Sequence, residues 1–260
     1  MSILATILLA LGFLVALTML EGLRNPARTD WRRNLQCWLL DFAVAFVTIK
    51  FWPDWHGGSL FHASAMPFWL ALPTFLLVRD FTEWLFHYAQ HRIPVLWSMH
   101  SLHHSDPEMT ALTTNRHFWA DRLVKSLTIW PFATMMLAPT NELLGIYAAV
   151  SFYTYFFHAN LKVDFGRWSW LLNCPAYHRL HHSRLAEHQG TNFAALFPIF
   201  DVIFGTYRRP EGWPPCGLDR APRSFKDLLT WAWDERPARS RTQQADEGLP
   251  AAPVSLRAEA

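Results

Sequence analysis

The sequence predicts an all-α protein: an integral membrane helical bundle of four or five membrane helices with a histidine-rich helical cap on its cytoplasmic side. Three observations support this fold class. The 260 residues are 51% hydrophobic, and apolar runs long enough to enter a bilayer alternate with short charged loops. Fourteen tryptophans suit a protein with many anchors at a membrane interface. Histidines at helix-face spacing recur beside the ends of the apolar runs.

Residues 1–66 are predicted to form an N-terminal transmembrane region. Residues 3–20 are an unbroken apolar run without a basic segment before it, which favours an anchor over a cleaved signal. Four arginines follow between residues 24 and 33, and such a positive loop is typical of the cytoplasmic side. Residues 35–52 then form a second apolar run that leads back to the outer side.

Residues 67–210 are predicted to be the catalytic membrane domain. Its first helix starts as an apolar run over residues 66–78 and ends with His87 and His91. Pro94 interrupts the histidine-rich stretch there, because proline breaks a helix, and residues 100–104 are predicted to lie on a new short helix.

The second half of this domain continues the alternation of apolar runs and histidines. Residues 126–138 and 143–157 are each short for a full span, and they are predicted to form a tilted or partly re-entrant hairpin. Asn173 or Cys174 is expected to cap a helix that has Pro175 at its first position. Residues 192–206 are interpreted as a membrane-surface segment.

Residues 211–260 form a C-terminal extension that is predicted to be disordered from about residue 237. There the composition turns to Ala, Arg, Gln, Glu and Pro, which bury too little apolar surface to order the chain. The net charge of +2 is too small to indicate a nucleic-acid partner. Three scattered cysteines without a C-x-x-C pair predict neither a disulfide framework nor a thiolate metal site, as in a reduced compartment.

The histidines point to metal chemistry. The spacing H-x-x-H-H occurs at residues 100–104 and again at 178–182, and on a helix it projects the imidazoles to one side. Imidazoles without thiolates or several carboxylates suit iron, copper, zinc or nickel. One ion takes about four to six ligands, so eight or nine imidazoles indicate two ions. The zincin motif requires Glu after its first His, whereas residue 88 is tyrosine.

Five segments between about residues 80 and 207 resemble the fatty acid hydroxylase / sterol desaturase superfamily. They read H-R-I-P-V-L-W-S-M-H-S-L-H-H-S, T-N-R-H, F-H-A-N-L, P-A-Y-H-R-L-H-H-S and F-D-V-I-F-G-T-Y, in the order typical of that family. The resemblance implies a monooxygenase-type oxidoreductase with two iron ions and O2 as co-substrate. Such an enzyme hydroxylates or desaturates a C–H bond of a lipid taken from the bilayer.

The resemblance also implies the metal ligands, residue by residue. They are His87, His91, His100, His103, His104, His158, His178, His181 and His182. Some relatives place a further histidine four residues after His158, but here that residue is Lys162, so a water held by Asn160 is an expected substitute. His117, Asp80 and Asp201 are expected to support the ligands as hydrogen-bonding partners.

No electron-transfer domain is recognisable, so the two electrons are expected from a separate cytochrome b5-like protein, ferredoxin or reductase that docks on the cytoplasmic face. Sterol, fatty acyl chain, sphingolipid, alkylglycerol and carotenoid all remain possible substrates. The alternative function is a membrane metalloprotein without oxygen chemistry, either a zinc-dependent hydrolase or a metal-binding scaffold.

Overall fold

The computed structural model describes residues 3–24, 31–50 and 58–234, with side chains described for residues 12–23, 31–48 and 58–234. Within these residues the fold is mainly helical, as predicted. The expected disorder from residue 237 falls outside the described residues. The predicted first membrane segment, residues 3–20, is helical and lies partly outside the described side chains.

Ten helices follow one another in the described part of the chain. The first six helices are α1 (Ile3–Arg24), α2 (Trp31–Lys50), α3 (Phe68–Arg92), α4 (Pro94–His104), α5 (Trp119–Met136) and α6 (Asn141–Val150). The last four are α7 (Tyr153–His158), α8 (Pro175–His181), α9 (Ile199–Phe204) and α10 (Phe225–Asp234). Strands β1 (Phe61–His62) and β2 (Leu137–Ala138) pair in parallel, with Phe61 opposite Leu137.

Two prolines begin helices, and the sequence predicts this for Pro175. Pro94 is the first residue of α4, and extended Ile93 separates it from the end of α3. Pro175 begins α8 after extended Cys174, which makes no side-chain capping bond. A fixed φ near −65° suits proline to these positions, where its missing N–H is no loss. Both prolines therefore place histidines on new helices.

The predicted hairpin over residues 126–157 differs from the observed elements. Helix α5 begins at Trp119, seven residues early, because its charged first half is stabilised by ion pairs such as Arg122 with Asp41 and Lys125 with Glu83. The second arm is divided at Ser151 into α6 and α7. The Ser151 hydroxyl donates to the carbonyl of Ala148, as is common at a helix end.

Across the described part of the chain, no helix is both long enough and apolar enough to cross a membrane. The four or five membrane helices of the sequence-based prediction are therefore not found in that part.

The histidine-bearing helix α4 packs against α3 and α10, and it shares an apolar cluster with α2 and α10. Cys37 of α2, Leu102 of α4 and Trp231 of α10 are fully buried in one apolar cluster. The Trp231 indole Nε1 also donates to Ser101 Oγ over 2.8 Å. Helix α10, which belongs to the predicted C-terminal extension, thus contributes to the core that holds the histidines.

Candidate metal centre

The predicted ligands come together where four helices end. His87 and His91 lie in the last two turns of α3, and His158 is the last residue of α7. The other six lie at the C-terminal ends of α4 and α8: His100, His103, His104, His178, His181 and His182. Unpaired carbonyls give a helix C-terminus partial negative charge, which favours a bound cation.

The nine histidines divide into two groups in the described part of the chain. Within each group, one ring nitrogen per residue lies within 4.8 Å of all the others. The five-histidine group consists of His87, His91, His100, His104 and His181. The four-histidine group consists of His103, His158, His178 and His182. The sequence predicts the members of this site, but it does not predict the division.

The H-x-x-H-H spacing separates the histidines of each helix into two sets. On a helix, a residue four positions after the first is rotated by about 40° from it, and a residue three positions after it is rotated by about 60° in the opposite direction. On α4, His100 and His104 join one group and His103 joins the other. On α8 the assignment is reversed, since His181 alone joins the five-histidine group. Helices α4 and α8 thus each supply histidines to both groups.

Burial keeps these imidazoles neutral. Seven of the nine are buried, while His87 and His91 are half-buried. Desolvation lowers the pKa of His158 and of His181 to about 3, against a favourable backbone hydrogen bond in each case. A neutral imidazole has a free lone pair, which is the form that binds a metal.

Backbone carbonyls fix the proton of three rings. Nδ1 of His87 lies 2.7 Å from the carbonyl oxygen of Phe193, and Nδ1 of His181 lies 2.8 Å from that of Thr191. Nδ1 of His158 lies 2.8 Å from the carbonyl oxygen of Thr154. A carbonyl only accepts, so each Nδ1 carries the hydrogen and each Nε2 presents its lone pair to the group.

The distances between the inner nitrogens match those expected around an ion. In the four-histidine group, His158 Nε2 lies 3.1 Å from His103 Nε2 and 2.9 Å from His178 Nε2. Metal–nitrogen bonds of about 2.0–2.1 Å place neighbouring ligand atoms about 2.8–3.4 Å apart, from octahedral to tetrahedral geometry. The residues present therefore fit a bound metal.

The five-histidine group contains buried nitrogen atoms that nothing in the described part of the chain satisfies. They are Nε2 of His87, of His91 and of His181. A buried polar atom without a partner costs about 1–3 kcal/mol of stability. Three such nitrogen atoms in one group indicate that an electron-pair acceptor binds there. A cation that accepts these lone pairs meets that requirement.

One loop, residues 191–197, orients two histidines of the five-histidine group. It carries the Thr191 and Phe193 carbonyls, and two carboxylates hold it in place. Asp201 accepts from the backbone N–H groups of Phe193 and Ala194 at 2.9 and 2.8 Å.

Asp80 does the same further along this loop. It accepts from the N–H groups of Leu196 and Phe197, both at 2.7 Å, and burial raises its pKa to about 7. Asp80, which lies on α3, therefore binds the loop and not the His87 ring, whose partner is the Phe193 carbonyl.

The other two expected supporting residues have different surroundings. The His117 ring stacks on His103 with centroids 4.7 Å apart and an angle of 6° between the planes. Its Nδ1 lies 3.3 Å from Oδ2 of Asp121. The Asn160 amide oxygen lies 3.4 Å from Nη1 of Arg179.

Several contributing residues were missed by sequence reasoning. Thr191 and Phe193 act through their carbonyl groups, which every residue carries, so no sequence signal identifies them. Asn192 has a positive φ of 61° and is fully buried, which lets the loop turn between these two carbonyls. Asparagine tolerates this conformation better than most residues, and that preference was the available clue.

A cavity of about 600 Å³ lies beside the four-histidine group. His117 and Thr154 both line it, and these are the residues that stack on His103 and accept from His158. Phe157 lines it as well and lies 4.6 Å from the ring of His178. Its volume falls in the range of small-molecule sites.

Comparison with known proteins agrees with the resemblance seen in the motifs. The model of the fatty acid hydroxylase family matches residues 72–206, which contain all nine histidines. Alkylglycerol monooxygenase of Xenopus tropicalis is 30% identical over 159 residues, which are 61% of this chain and 34% of that protein. Alkylglycerol monooxygenase of Homo sapiens is 26% identical over 176 residues, or 67% and 38% of the two chains.

A sterol-modifying enzyme is also similar. Delta(7)-sterol 5(6)-desaturase of Gibberella zeae is 28% identical over 142 residues, which are 54% of this chain and 38% of that protein. The chain spans little more than a third of the length of these curated relatives. No solved structure matches it.

Proposed function

Because the chain belongs to the fatty acid hydroxylase family, we propose that it is an oxidoreductase that hydroxylates or desaturates a C–H bond of a lipid with two irons and O2. The observation that carries the proposal is the division of nine histidines into two adjoining groups of five and four. Two ions, each held only by imidazoles, suit redox-active iron, for which thiolates and multiple carboxylates are not required.

The chain's residues have three tasks in this proposal. The five-histidine and four-histidine groups each hold one iron. The carbonyls of Thr191, Phe193 and Thr154 hold protons on the outer nitrogens, which keeps the inner lone pairs directed at the metal. Because most of the histidines are buried, water is kept away from the C–H bond that reacts beside them. When bound, the two irons supply the O2-dependent oxidation of an unactivated C–H bond.

The overall reaction sets what must be delivered. In hydroxylation, the C–H bond becomes C–OH with one oxygen atom of O2, and the other atom leaves as water after uptake of two electrons and two protons. We assign the electrons to a separate protein that docks near the histidine-bearing helix ends, on the side proposed to be cytoplasmic.

The zinc-hydrolase alternative is less consistent with the number of donors. Catalytic zinc sites have three protein ligands and keep a position for water, and a carboxylate often acts as base. Here four and five imidazoles surround the two positions. The nearby carboxylate of Asp121 is engaged by Gln90, whose Nε2 donates to it over 2.7 Å.

We place the enzyme at a lipid bilayer. On α2, the exposed side chains of Leu39, Phe42 and Phe46 recur at helical spacing and are 55%, 61% and 66% accessible. Trp69 near the start of α3 is 75% accessible. Such apolar exposure is costly in water and is favourable against lipid. Alkylglycerols and sterols, named in two relatives, are the first substrates to test.

The test is incorporation of labelled oxygen. Iron-loaded protein in detergent is mixed with a lipid extract, a reductant and ¹⁸O2, and the products are analysed by mass spectrometry. The proposal expects one ¹⁸O atom in a lipid alcohol, or a lipid that has lost two hydrogens. His103→Ala should abolish this product, whereas His62→Ala, at an exposed position outside both groups, should not. Turnover that persists in His103→Ala would contradict the proposal.

A further inference from the structure

The cavity beside the metal centre changes character along helix α3. Leu76, Asp80, Glu83 and His87 follow one another at spacings of four, three and four residues, which places them on one face. The first three line the cavity, and His87 belongs to the five-histidine group. With a rise of about 1.5 Å per residue, Glu83 lies about 6 Å from His87 along the axis, and Leu76 about 16 Å.

Helix α5 runs antiparallel to α3 and has the same order of layers. Lys125 pairs with Glu83 over 2.5 Å, and Arg79 lies over the Trp130 ring at 4.8 Å. Lys125 and Trp130 both line the cavity, and His117, just before α5, closes it at the metal end. The cavity therefore has an apolar part at Leu76 and Trp130, and a polar layer about one helical turn from His87.

The charges of the polar layer are already paired within the protein. Glu83 lies 3.2 Å from Nη2 of Arg79 and 2.5 Å from Nζ of Lys125, and its two carboxylate oxygens are shared between them. Arg122 is paired with Asp41. A charged ligand group would have to break one of these partly buried pairs, which is strongly destabilising. An uncharged hydroxyl can donate to the Glu83 carboxylate and accept from Lys125, whose ammonium has three hydrogens.

We propose that the cavity takes a single-chain lipid with an uncharged hydroxyl end, bound at Glu83 and Lys125. The chain of the lipid extends past Leu76 and Trp130, away from the histidines. The carbon atoms nearest the histidines are then those next to the polar end, so oxidation takes place there and not at the far end of the chain. This inference rests on the proposed lipid-oxidising function and adds the substrate class and the position of attack.

The first experiment measures binding without turnover. Hexadecan-1-ol, hexadecanoate and hexadecane are titrated against anaerobic protein in detergent, both metal-free and cobalt-loaded. The alcohol is expected to bind about tenfold more tightly than the other two, which is the effect of one or two hydrogen bonds in a partly buried site. Equal or tighter binding of hexadecanoate or hexadecane would overturn the assignment of an uncharged hydroxyl end.

Matched substitutions test the two polar residues. Lys125→Met and Glu83→Gln should each weaken binding of the alcohol about tenfold and leave binding of hexadecane unchanged. The control is Lys226→Met, since Lys226 is exposed on α10, away from the cavity. Thermal unfolding of each variant shows whether it remains folded. If Lys125→Met and Glu83→Gln both fold and bind the alcohol like the unaltered protein, these residues are not its binding site.

The second experiment measures which end of the lipid lies near the metals. Hexadecan-1-ol with fluorine on carbon 3 or carbon 15 is bound to cobalt-loaded protein, and the ¹⁹F line widths are compared with those for zinc-loaded protein. Paramagnetic broadening falls steeply with distance, so carbon 3 should be broadened far more than carbon 15. The reverse pattern would overturn the proposed orientation. A protein that binds the alcohol but no metal would instead contradict the proposed function alone.

Discussion

Asp201 provides the sharpest test of how the metal centre is held together. It is fully buried and accepts hydrogen bonds from five donors. Two donors are the backbone N–H groups of Phe193 and Ala194, and three are the side chains of Trp84, Tyr177 and Thr206. The Phe193 carbonyl in turn accepts from His87, so the carboxylate acts on this ligand through one residue.

The substitution Asp201→Asn removes charge without changing the shape. The amide keeps one acceptor oxygen and turns an NH2 group towards donors that need an acceptor. One or two charge-assisted hydrogen bonds, each worth about 1.5–3 kcal/mol, are lost, which predicts a loss of about 2–5 kcal/mol in the free energy of unfolding. Loss of support for a ligating histidine typically costs 10–100-fold in metal affinity.

The effect should be confined to one of the two ions. His87 and His181 both belong to the five-histidine group and are oriented by the loop that Asp201 holds. His158 of the other group takes its acceptor from Thr154, which lies on the same helix. Asp201→Asn should therefore release one metal per chain at a chelator concentration that leaves the second in place.

The assay is a chelator titration of cobalt-loaded protein, followed by the visible absorption of bound cobalt and by metal analysis. Asp227→Asn is the matched control, because Asp227 caps α10 at the surface and lies outside both histidine groups. If both ions leave Asp201→Asn together at the concentration needed for the unaltered protein, the proposed role of the loop is wrong.

Three further predictions concern the site and the fold. His178→Ala and His181→Ala should each lower the metal content by about one ion per chain, but from different groups, so their cobalt spectra should differ; identical spectra would contradict the division. Metal-free protein should lose stability as the pH falls below 6.5, because buried His158 and His181 have a pKa of about 3 in the fold and bind protons once unfolded. Each of the two contributes about 1.4 kcal/mol per pH unit, and a urea midpoint that is equal at pH 7.5 and 5.5 would refute this. Trp231→Ala should lower the free energy of unfolding by about 3–5 kcal/mol, measured by urea denaturation, since α10 covers α4; a change below about 1 kcal/mol would show that α10 is dispensable.

The sequence contains enough to predict which histidines meet and which helices carry them. Pro94 marks a break between two helices and Pro175 marks a helix start. Helical spacing then places the histidines of each helix on one face. The division into groups is beyond sequence reasoning, because it depends on how α4 and α8 face each other. His103 and His181 exchange groups for that reason alone.

Tertiary contacts also explain the elements that differ from the prediction. The charged residues at 121–125 stand just before the apolar run at 126–138 and are not predicted to be part of its helix, but they are helical because Asp41 and Glu83 on neighbouring helices pair with them. Helix α10 has a pronounced apolar face, and only the presence of α4 shows where that face packs. Asp80 lies close to His87 in sequence, yet it bonds to a loop more than a hundred residues away.

The identity and number of bound metals test the central claim most directly. Protein purified from iron-supplied cells is analysed for metal content and by Mössbauer spectroscopy, with His181→Ala prepared in parallel. The two histidine groups predict about two irons per chain with magnetically coupled signals, and the coupling should be lost in His181→Ala. A single zinc ion per chain, or iron whose amount and spectrum are unchanged in His181→Ala, would contradict a di-iron centre at these residues.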